Sequence, residues 1–151
     1  MFDLIEKYNL VPHPEGGFFR EIFRSGSMVA SDPAGETRNA MTHIYFLLSK
    51  GEISRFHRVI HDEIWNFYQG DPLKIILCTS AGIREEIIGP GAHVCVVLAD
   101  TWQAAEPVGE FGLAGCTVAP GFDFRDFSFL ADQPEELSRF RTFPEKYKKY
   151  L

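Results

Sequence analysis

The stretch that decides the fold covers residues 51–70 and reads GEISRFHRVIHDEIWNFYQG. Its two terminal glycines bracket a run rich in β-branched and aromatic residues, which predicts two short antiparallel strands. Because side chains alternate across a strand, His57 and Val59 share one face, and Glu63 and Trp65 share a face of the partner strand. If both faces point inward, an imidazole and a carboxylate meet in an apolar cavity.

The rest of the chain has the same β-rich pattern. Further strands are predicted near 18–24, 42–48, 73–79, 83–88, 93–99, 102–106, 111–118 and 124–129, with glycine- and proline-containing turns between them. Short helices are predicted at 2–10 and from Asp132 to Phe140, a polar loop at 25–38, and a frayed surface helix at 146–150. The pattern predicts one all-β domain over residues 1–151, a sandwich or barrel with short terminal helices.

Composition limits the kinds of partner. The net charge is −6 and the pI is near 5.3, which argues against a nucleic-acid groove because such grooves need a basic patch. No apolar run approaches the ~18 residues of a membrane-spanning helix. The three cysteines, an odd number without metal spacing, are interpreted as free thiols in a reducing compartment. We therefore expect a cytoplasmic protein that binds neither nucleic acid nor membrane.

The central stretch resembles the first motif of the cupin superfamily, in which a glycine is followed by five residues, His-x-His, a glutamate and a second glycine. Gly51, His57, Glu63 and Gly70 match this pattern, whereas Val59 stands where the second histidine is expected. The resemblance implies a double-stranded β-helix, or jelly-roll barrel, with a pocket inside it.

A second resemblance covers roughly residues 3 to 140. The segment 10–21, LVPHPEGGFFRE, is similar to the opening motif of the small cupin subfamily known as DUF985 or cupin 5. Later segments agree with the same subfamily: Thr42 to Leu48, Ser54 to Arg58, Asp62 to Trp65, Trp102-Gln103 and Gly115 to Phe122. This resemblance implies the fold, but it implies little about activity.

The resemblance also identifies positions that would hold a metal in other cupins. Gln103 takes the place of a histidine in the second cupin motif, and Val59 cannot coordinate. No cofactor is therefore expected. The alternative is a divalent ion held weakly by His57, Glu63 and Gln103. His61 is expected to be exposed, and His13, His43 and His93 have no spacing typical of ligands.

Similarity to metal-independent sugar-nucleotide epimerases makes His57 and Glu63 the candidate catalytic residues, with His57 as base, Glu63 orienting it, and Tyr45 or Tyr68 returning a proton. The carboxylate is expected to favour a protonated imidazole. Candidate ligand-binding residues lie in the matched motifs or are aromatic side chains that would line a pocket: Glu15, Phe19, Arg20, Tyr45, Ser54, Arg58, Trp65, Trp102, Gln103 and Phe122.

The leading hypothesis is a protein that binds a nucleotide, a nucleotide sugar or a sugar-like metabolite inside the barrel, as a metal-independent epimerase or isomerase. Two alternatives remain open: a metal-dependent oxygenase or isomerase of the same fold, and a non-catalytic metabolite-binding module. A homodimer is expected, because a strand at 18–24 with phenylalanines on both faces can pair with a second copy.

Overall fold

The computed structural model describes residues 2–139 and 143–151. The helices are α1 (Phe2–Tyr8) and α2 (Pro134–Arg139), and 3₁₀ turns lie at Phe124–Asp126, Leu130–Asp132 and Glu145–Tyr150. The strands are β1 (Val11–Pro12), β2 (Phe18–Arg24), β3 (Met28–Ser31), β4 (Glu36–Asn39), β5 (Thr42–Ser49), β6 (Ser54–Val59), β7 (Asp62–Gly70), β8 (Leu73–Thr79), β9 (Gly82–Ile88), β10 (Val94–Val97), β11 (Trp102–Pro107), β12 (Phe111–Ala119) and β13 (Phe127–Phe129).

Within the described residues the strands form two antiparallel sheets and a separate hairpin. The larger sheet has the order β1-β2-β5-β12-β7-β10, and the smaller has the order β13-β6-β11-β8-β9. Apart from the pairs β1–β2 and β8–β9, neighbouring strands in these two sheets are not consecutive in the chain, so the chain crosses repeatedly from one sheet to the other. This arrangement confirms the predicted jelly roll with short helices near its ends.

The main core lies between the two sheets. Phe46, Trp65 and Ile75 are almost completely buried there, together with Leu48, Leu73, Leu77 and Ile88. Burial of these apolar side chains is the main force that holds the sheets together, at about 25 cal/mol for each Å² removed from water.

A second apolar cluster covers the outer face of the smaller sheet. Phe56 and Trp102 project from that face and pack against Leu130, Tyr147 and Tyr150. The prediction of a frayed surface helix at 146–150 was therefore wrong. In a 3₁₀ helix, residues three apart lie on the same side, so both tyrosines of the last turn reach the sheet. The predicted helix end at Phe140 lies outside the described residues.

The predicted polar loop at 25–38 is instead a hairpin formed by β3 and β4. Buried polar contacts join it to the barrel. Arg38 donates to both carboxylate oxygens of Asp126, at 2.7 and 2.8 Å. The ring Nε2 of His61 lies 2.6 Å from Ser31 Oγ. His61 is therefore buried rather than exposed, because the hairpin folds over the turn that carries it.

The two strands of the central stretch, β6 and β7, do not pair with each other. β6 belongs to the smaller sheet and β7 to the larger one, so the turn between them crosses the barrel wall. His57 on β6 lies opposite Gln103 on β11, and β7 pairs with β10 and β12. His57 and Glu63 consequently approach each other from facing sheets. Among the described residues, no helix is long and apolar enough to cross a membrane.

Candidate functional site

One end of the barrel contains a cavity of about 310 Å³ between the two sheets. Five of the predicted site residues line it: Glu15, Phe19, His57, Glu63 and Phe122. Its wall also includes side chains that were not predicted, among them His13, Glu21, Arg24, Phe46, Phe124 and Phe127. The cavity is large enough for a small organic molecule and combines apolar walls with a few polar groups, as ligand pockets commonly do.

The loop at 13–17 brings Glu15 into this cavity. Gly16 and Gly17 have φ angles of 117° and 68°, which favour glycine. A Cβ at Gly16 would overlap the carbonyl oxygen of Ile53, so only glycine lets the loop lie this close to the chain that enters β6. The backbone N–H of Arg55 donates to the carbonyl of Glu15 at 2.9 Å and holds the loop in place.

Glu15 and His57 form a buried pair at the inner end of the cavity. Glu15 Oε2 lies 3.2 Å from His57 Nε2, and Glu15 Oε1 accepts a hydrogen bond from Ser54 at 2.8 Å. His57 Nδ1 lies 2.8 Å from the carbonyl oxygen of Arg55. A carbonyl can only accept, so Nδ1 carries a proton. The partner of His57 is therefore Glu15, which is 42 positions earlier in the chain, rather than Glu63 alone.

Burial determines the charge of this pair. It raises the pKa of Glu15 to about 8, although the Ser54 hydrogen bond and the charge of Arg55 oppose this effect. Burial also lowers the pKa of His57, against the opposing charge of Glu63. At neutral pH a neutral Glu15 acid therefore donates to the free Nε2 of a neutral His57. The protonated imidazole that was expected beside Glu63 is therefore not favoured, because the effect of burial on the pKa of His57 outweighs the attraction of that carboxylate.

Glu63 reaches the cavity from the opposite sheet and is positioned by a chain of hydrogen bonds. Trp65 Nε1 donates to Gln103 Oε1 at 2.9 Å, and Gln103 Nε2 donates to Glu63 Oε2 at 2.6 Å. The indole thus determines the orientation of the amide. Burial raises the pKa of Glu63, and the attraction of His57 lowers it. His57, Glu63 and Gln103 therefore meet inside the barrel, as predicted from the two motifs.

His13 contributes a neutral imidazole to the wall. The backbone N–H of Glu15 donates to His13 Nδ1 at 3.3 Å, so the ring proton is on Nε2. Burial, followed by the charge of His57, lowers the pKa of His13 to about 4. The ring packs edge-on against Phe19, with centroids 4.5 Å apart.

The mouth of the cavity is formed by β2 and the segment at 122–127. A bulge at Ile22 shifts the register between β2 and β5, so that Glu21 and Arg24 both line the cavity. Arg24 donates twice to Glu21, at 2.7 and 2.9 Å, and once each to Asn39 and to the carbonyl of Phe122. Its side chain is thus engaged with the protein before any ligand arrives.

Two predicted ligand-binding residues lie on the outer face of the larger sheet, which contradicts their placement in the pocket. Arg20 is exposed and donates to the carbonyl of Tyr8 at 3.2 Å. Tyr45 packs against Tyr8 and Tyr68, and Tyr68 OH lies 3.0 Å from His43 Nε2. Neither Tyr45 nor Tyr68 lines the cavity, so the expectation that one of them returns a proton there is not supported. Strand alternation turns these side chains away from it.

Five other predicted ligand-binding residues are also outside the cavity lining. Arg58 stacks over Trp102 on the outer face of the smaller sheet, with the guanidinium 4.6 Å from the ring. Ser54, Trp65 and Gln103 are buried beneath the lining residues, and their hydrogen bonds position Glu15 and Glu63. These three support the pocket without forming its surface.

Some of the missed lining residues had a signal in the sequence. His13 and Glu21 belong to the segment 10–21 that resembled the DUF985 motif, and Glu21 alternates with Phe19 on the same face of β2. Phe124 and Phe127 had no such signal, because their segment contributes to the cavity only after the chain returns to the barrel.

The donor set does not fit a resident metal ion. No group of three or more His, Cys, Asp or Glu side chains with suitable geometry occurs within the described part of the chain. Val59 lines the cavity without a donor atom, and the Gln103 oxygen accepts from Trp65. Burial, followed by the charge of Glu63, raises the pKa of Cys116, so its thiol stays protonated and is a poor ligand.

Comparison with known proteins identifies one family for this chain. Residues 2–130 match the Cupin_5 family, described as "Cupin superfamily (DUF985)". An uncharacterized protein of Saccharomyces cerevisiae, YML079W, is 30% identical over 152 aligned residues, which cover 87% of this chain and 76% of the yeast protein.

Solved structures agree with this result. A hypothetical protein from Leishmania major is 29% identical, with a TM-score of 0.86 over 97% of this chain and 95% of its own. The R92A mutant of oxalate decarboxylase from Bacillus subtilis is 15% identical, with a TM-score of 0.61 over 93% of this chain and 37% of its own. The second likeness concerns the fold alone.

Proposed function

The chain belongs to the Cupin_5 (DUF985) family of the cupin superfamily, and we propose that it binds a sugar-like carbonyl compound in the barrel cavity and moves a proton on it without a metal. The observation that carries this proposal is the 3.2 Å contact between Glu15 Oε2 and His57 Nε2 in an apolar cavity that Glu63 also lines, from the other sheet. Acid and base groups on two sides of one pocket suit epimerisation or isomerisation.

The proposed step uses both carboxyl groups. Glu63, ionised when the ligand binds, takes the proton from the carbon next to the carbonyl, and the electron pair of that C–H bond forms an enolate. The Glu15–His57 pair then returns a proton to the same carbon from the other side, and the carbonyl is restored. The proton gained by Glu63 leaves to solvent, and Glu15 regains one. Gln103 stabilises the ionised form of Glu63 by its hydrogen bond at 2.6 Å.

The aromatic walls support a sugar ring better than the nucleotide of a nucleotide sugar. Phe19, Phe122 and Phe127 present apolar surface to the cavity, and a hydroxylated ring can pack its C–H face on such surface while its hydroxyl groups reach the acids. Arg20 and Arg58, the two arginines among the candidate ligand-binding residues and the groups best suited to a phosphate, lie outside the cavity lining.

Hydrogen exchange tests the proposed reaction. Keto sugars and their nucleotide-linked forms are incubated with the metal-free protein in deuterated water, and NMR follows deuterium entering at the carbon next to the carbonyl. Wild type should promote exchange, whereas Glu15→Gln and Glu63→Gln should reduce it at least ~100-fold, the usual minimum for a lost acid or base. Glu110→Gln, an exposed site ion-paired with Lys50, is the control.

The two alternatives predict other outcomes. Binding without exchange in any compound would identify a non-catalytic metabolite-binding module. Exchange that requires an added divalent metal would favour the metal-dependent isomerase. Cytoplasmic location is part of the proposal, because Cys78, Cys95 and Cys116 are all free and buried, as is usual for proteins in a reducing compartment.

A further inference from the structure

We infer that the part of the ligand held in the cavity carries a positive charge, an amino group on a hydroxylated or ring-shaped molecule, rather than a phosphate. This inference rests on the proposed function and narrows its substrate class to amine-bearing compounds. Its basis, within the part of the chain that the structure describes, is the combination of aromatic walls, two buried carboxyl groups without a cationic partner in contact, and one lining arginine that is already engaged.

Among the residues that the structure describes, five phenylalanines line the cavity: Phe19, Phe46, Phe122, Phe124 and Phe127. Phe122, Phe124 and Phe127 lie against one another, with centroids 4.9 to 6.1 Å apart and planes strongly inclined. Rings arranged in this way present their faces in different directions. The electron-rich faces of aromatic rings attract ammonium groups, and a desolvated contact is worth about 2 kcal/mol or more.

The inner end of the cavity contains two carboxyl groups that are more than nine-tenths buried. Glu15 and Glu63 have relative exposures of 6% and 7%. The closest hydrogen-bond partners of Glu15 are Ser54 and His57, and Glu63 bonds to Gln103, all uncharged when the imidazole is neutral. A buried carboxylate is normally paired with a cation, because an unpaired buried charge is costly. A ligand amino group would supply that partner for Glu63, the proposed base, and allow it to ionise while Glu15 keeps the proton that it donates.

The charges at the mouth do not favour a phosphate either. Among the described lining residues, Arg24 is the one arginine or lysine, and it already donates to Glu21, Asn39 and Phe122. Asp123 also lines the cavity, and its carboxylate is bound by Arg125. A phosphate entering here would find each of these charges already paired and would have to break the Arg24–Glu21 pair to gain a cation. An amino group meets no such barrier.

Compounds that share one scaffold and differ in charge test the inference. Glucosamine, glucose and glucose 6-phosphate form one set; benzylamine, benzyl alcohol and benzoate form another. Thermal shift screens all six, because a bound ligand raises the melting temperature by mass action, and calorimetry then measures affinity. We expect the amine of at least one set to bind about tenfold or more tighter than its alcohol, a factor worth about 1.4 kcal/mol, and the anions not to bind measurably.

Two variants test whether the preference for the amine depends on the cavity. Glu63→Gln keeps the shape of the side chain and can still accept a hydrogen bond from Gln103. It should reduce the affinity for the amine to near the affinity for the alcohol. Glu110→Gln, outside the cavity, should leave it unchanged. Tighter binding of an anion, equal binding of amine and alcohol in both sets, or the absence of stabilisation by either amine would overturn the inference. Each of these results leaves the proposed proton transfer intact, because exchange is measured separately, on compounds that include uncharged keto sugars.

Discussion

At the scale of single residues, the chemistry of the site depends on where protons are held. Nδ1 of His57 is bound to a backbone carbonyl, which leaves Nε2 to share one proton with Glu15. Neither group could be assigned this state from its type alone. Burial raises the pKa of the acid and lowers that of the base, so the pair is neutral at a pH where an isolated glutamate is ionised and an isolated histidine is partly protonated.

The first prediction concerns the pH dependence of stability at Glu15. Its pKa of about 8 in the folded protein exceeds the usual 4.5. Between these values the native state binds more protons than the unfolded state, so this group makes stability fall as pH rises. Glu15→Gln, which can still bond to Ser54 and His57, removes this dependence. Relative to wild type the variant should gain up to about 1.4 kcal/mol per pH unit across the window from 5 to 8.

Urea unfolding at pH 5, 6, 7 and 8 measures this difference. Glu110→Gln serves as the control, since its side chain is largely exposed, and its difference from wild type should stay constant. A Glu15→Gln variant whose stability relative to wild type does not change with pH would show that Glu15 ionises normally in the folded protein.

The second prediction concerns metal. Val59 lacks a donor atom and the Gln103 oxygen is occupied by Trp65, so protein purified without added metal should contain far less than one equivalent of iron, zinc, manganese or nickel by plasma mass spectrometry. Val59→His is the matched variant: it restores an imidazole beside His57 and should retain more metal. Stoichiometric metal in wild type would contradict the prediction and favour the metal-dependent alternative.

At the scale of elements, the β3–β4 hairpin secures one wall of the cavity. Arg38 on β4 binds Asp126 through two hydrogen bonds, and both side chains are buried. Asp126 lies in the same short segment as Phe124 and Phe127, which line the cavity. A hairpin outside both sheets therefore determines the position of aromatic rings that would contact the ligand.

The third prediction follows from this contact. Arg38→Ala leaves the carboxylate of Asp126 buried without its partner, and loss of one member of a buried pair is strongly destabilising. We expect the melting temperature to fall by roughly 10 °C, a typical effect of such a loss in a protein of this size. Arg125→Ala, at an exposed arginine that pairs with Asp123 and Glu36, should change it little. Similar small effects in both variants would show that the buried pair does not hold the wall.

At the scale of the whole molecule, the larger sheet leaves apolar side chains exposed. Ile22 and Phe23 on β2 are 45% and 50% exposed. In the described structure, β1 pairs with β2 only at Phe18 and Phe19, so the remainder of β2 pairs on one side only, with β5. A partly free edge with apolar side chains is suited to a second copy of the same strand.

The fourth prediction is therefore a homodimer that involves β2 and buries at least ~1,000 Å². Light scattering at micromolar concentration should give twice the chain mass of 17.1 kDa. Ile22→Lys should shift the protein towards monomer, whereas Ile87→Lys, at an exposed isoleucine on β9 of the other sheet, should not. A wild-type protein that is monomeric at these concentrations would contradict the prediction.

The sequence by itself determined most of the local structure. Alternation of apolar residues and the glycine-containing turns located the strands within a few residues, because the period of two follows directly from strand geometry. The spacing of His57 and Glu63 also indicated that the two side chains meet. Two local features were missed: the hairpin at 28–39 has little apolar alternation, and the last turn buries its tyrosines only because a sheet face is there to receive them.

Only the tertiary structure decided which side chains form the site. Alternation shows which residues share a face, but not which face turns inward, so Arg58 and Trp102 were expected in a pocket that they do not line. The approach of Glu15 to His57 joins positions 42 apart through a glycine loop packed on a distant strand. The charges of these groups depend on that approach, because the pKa shifts arise from burial between two sheets, which no short stretch of the chain creates alone.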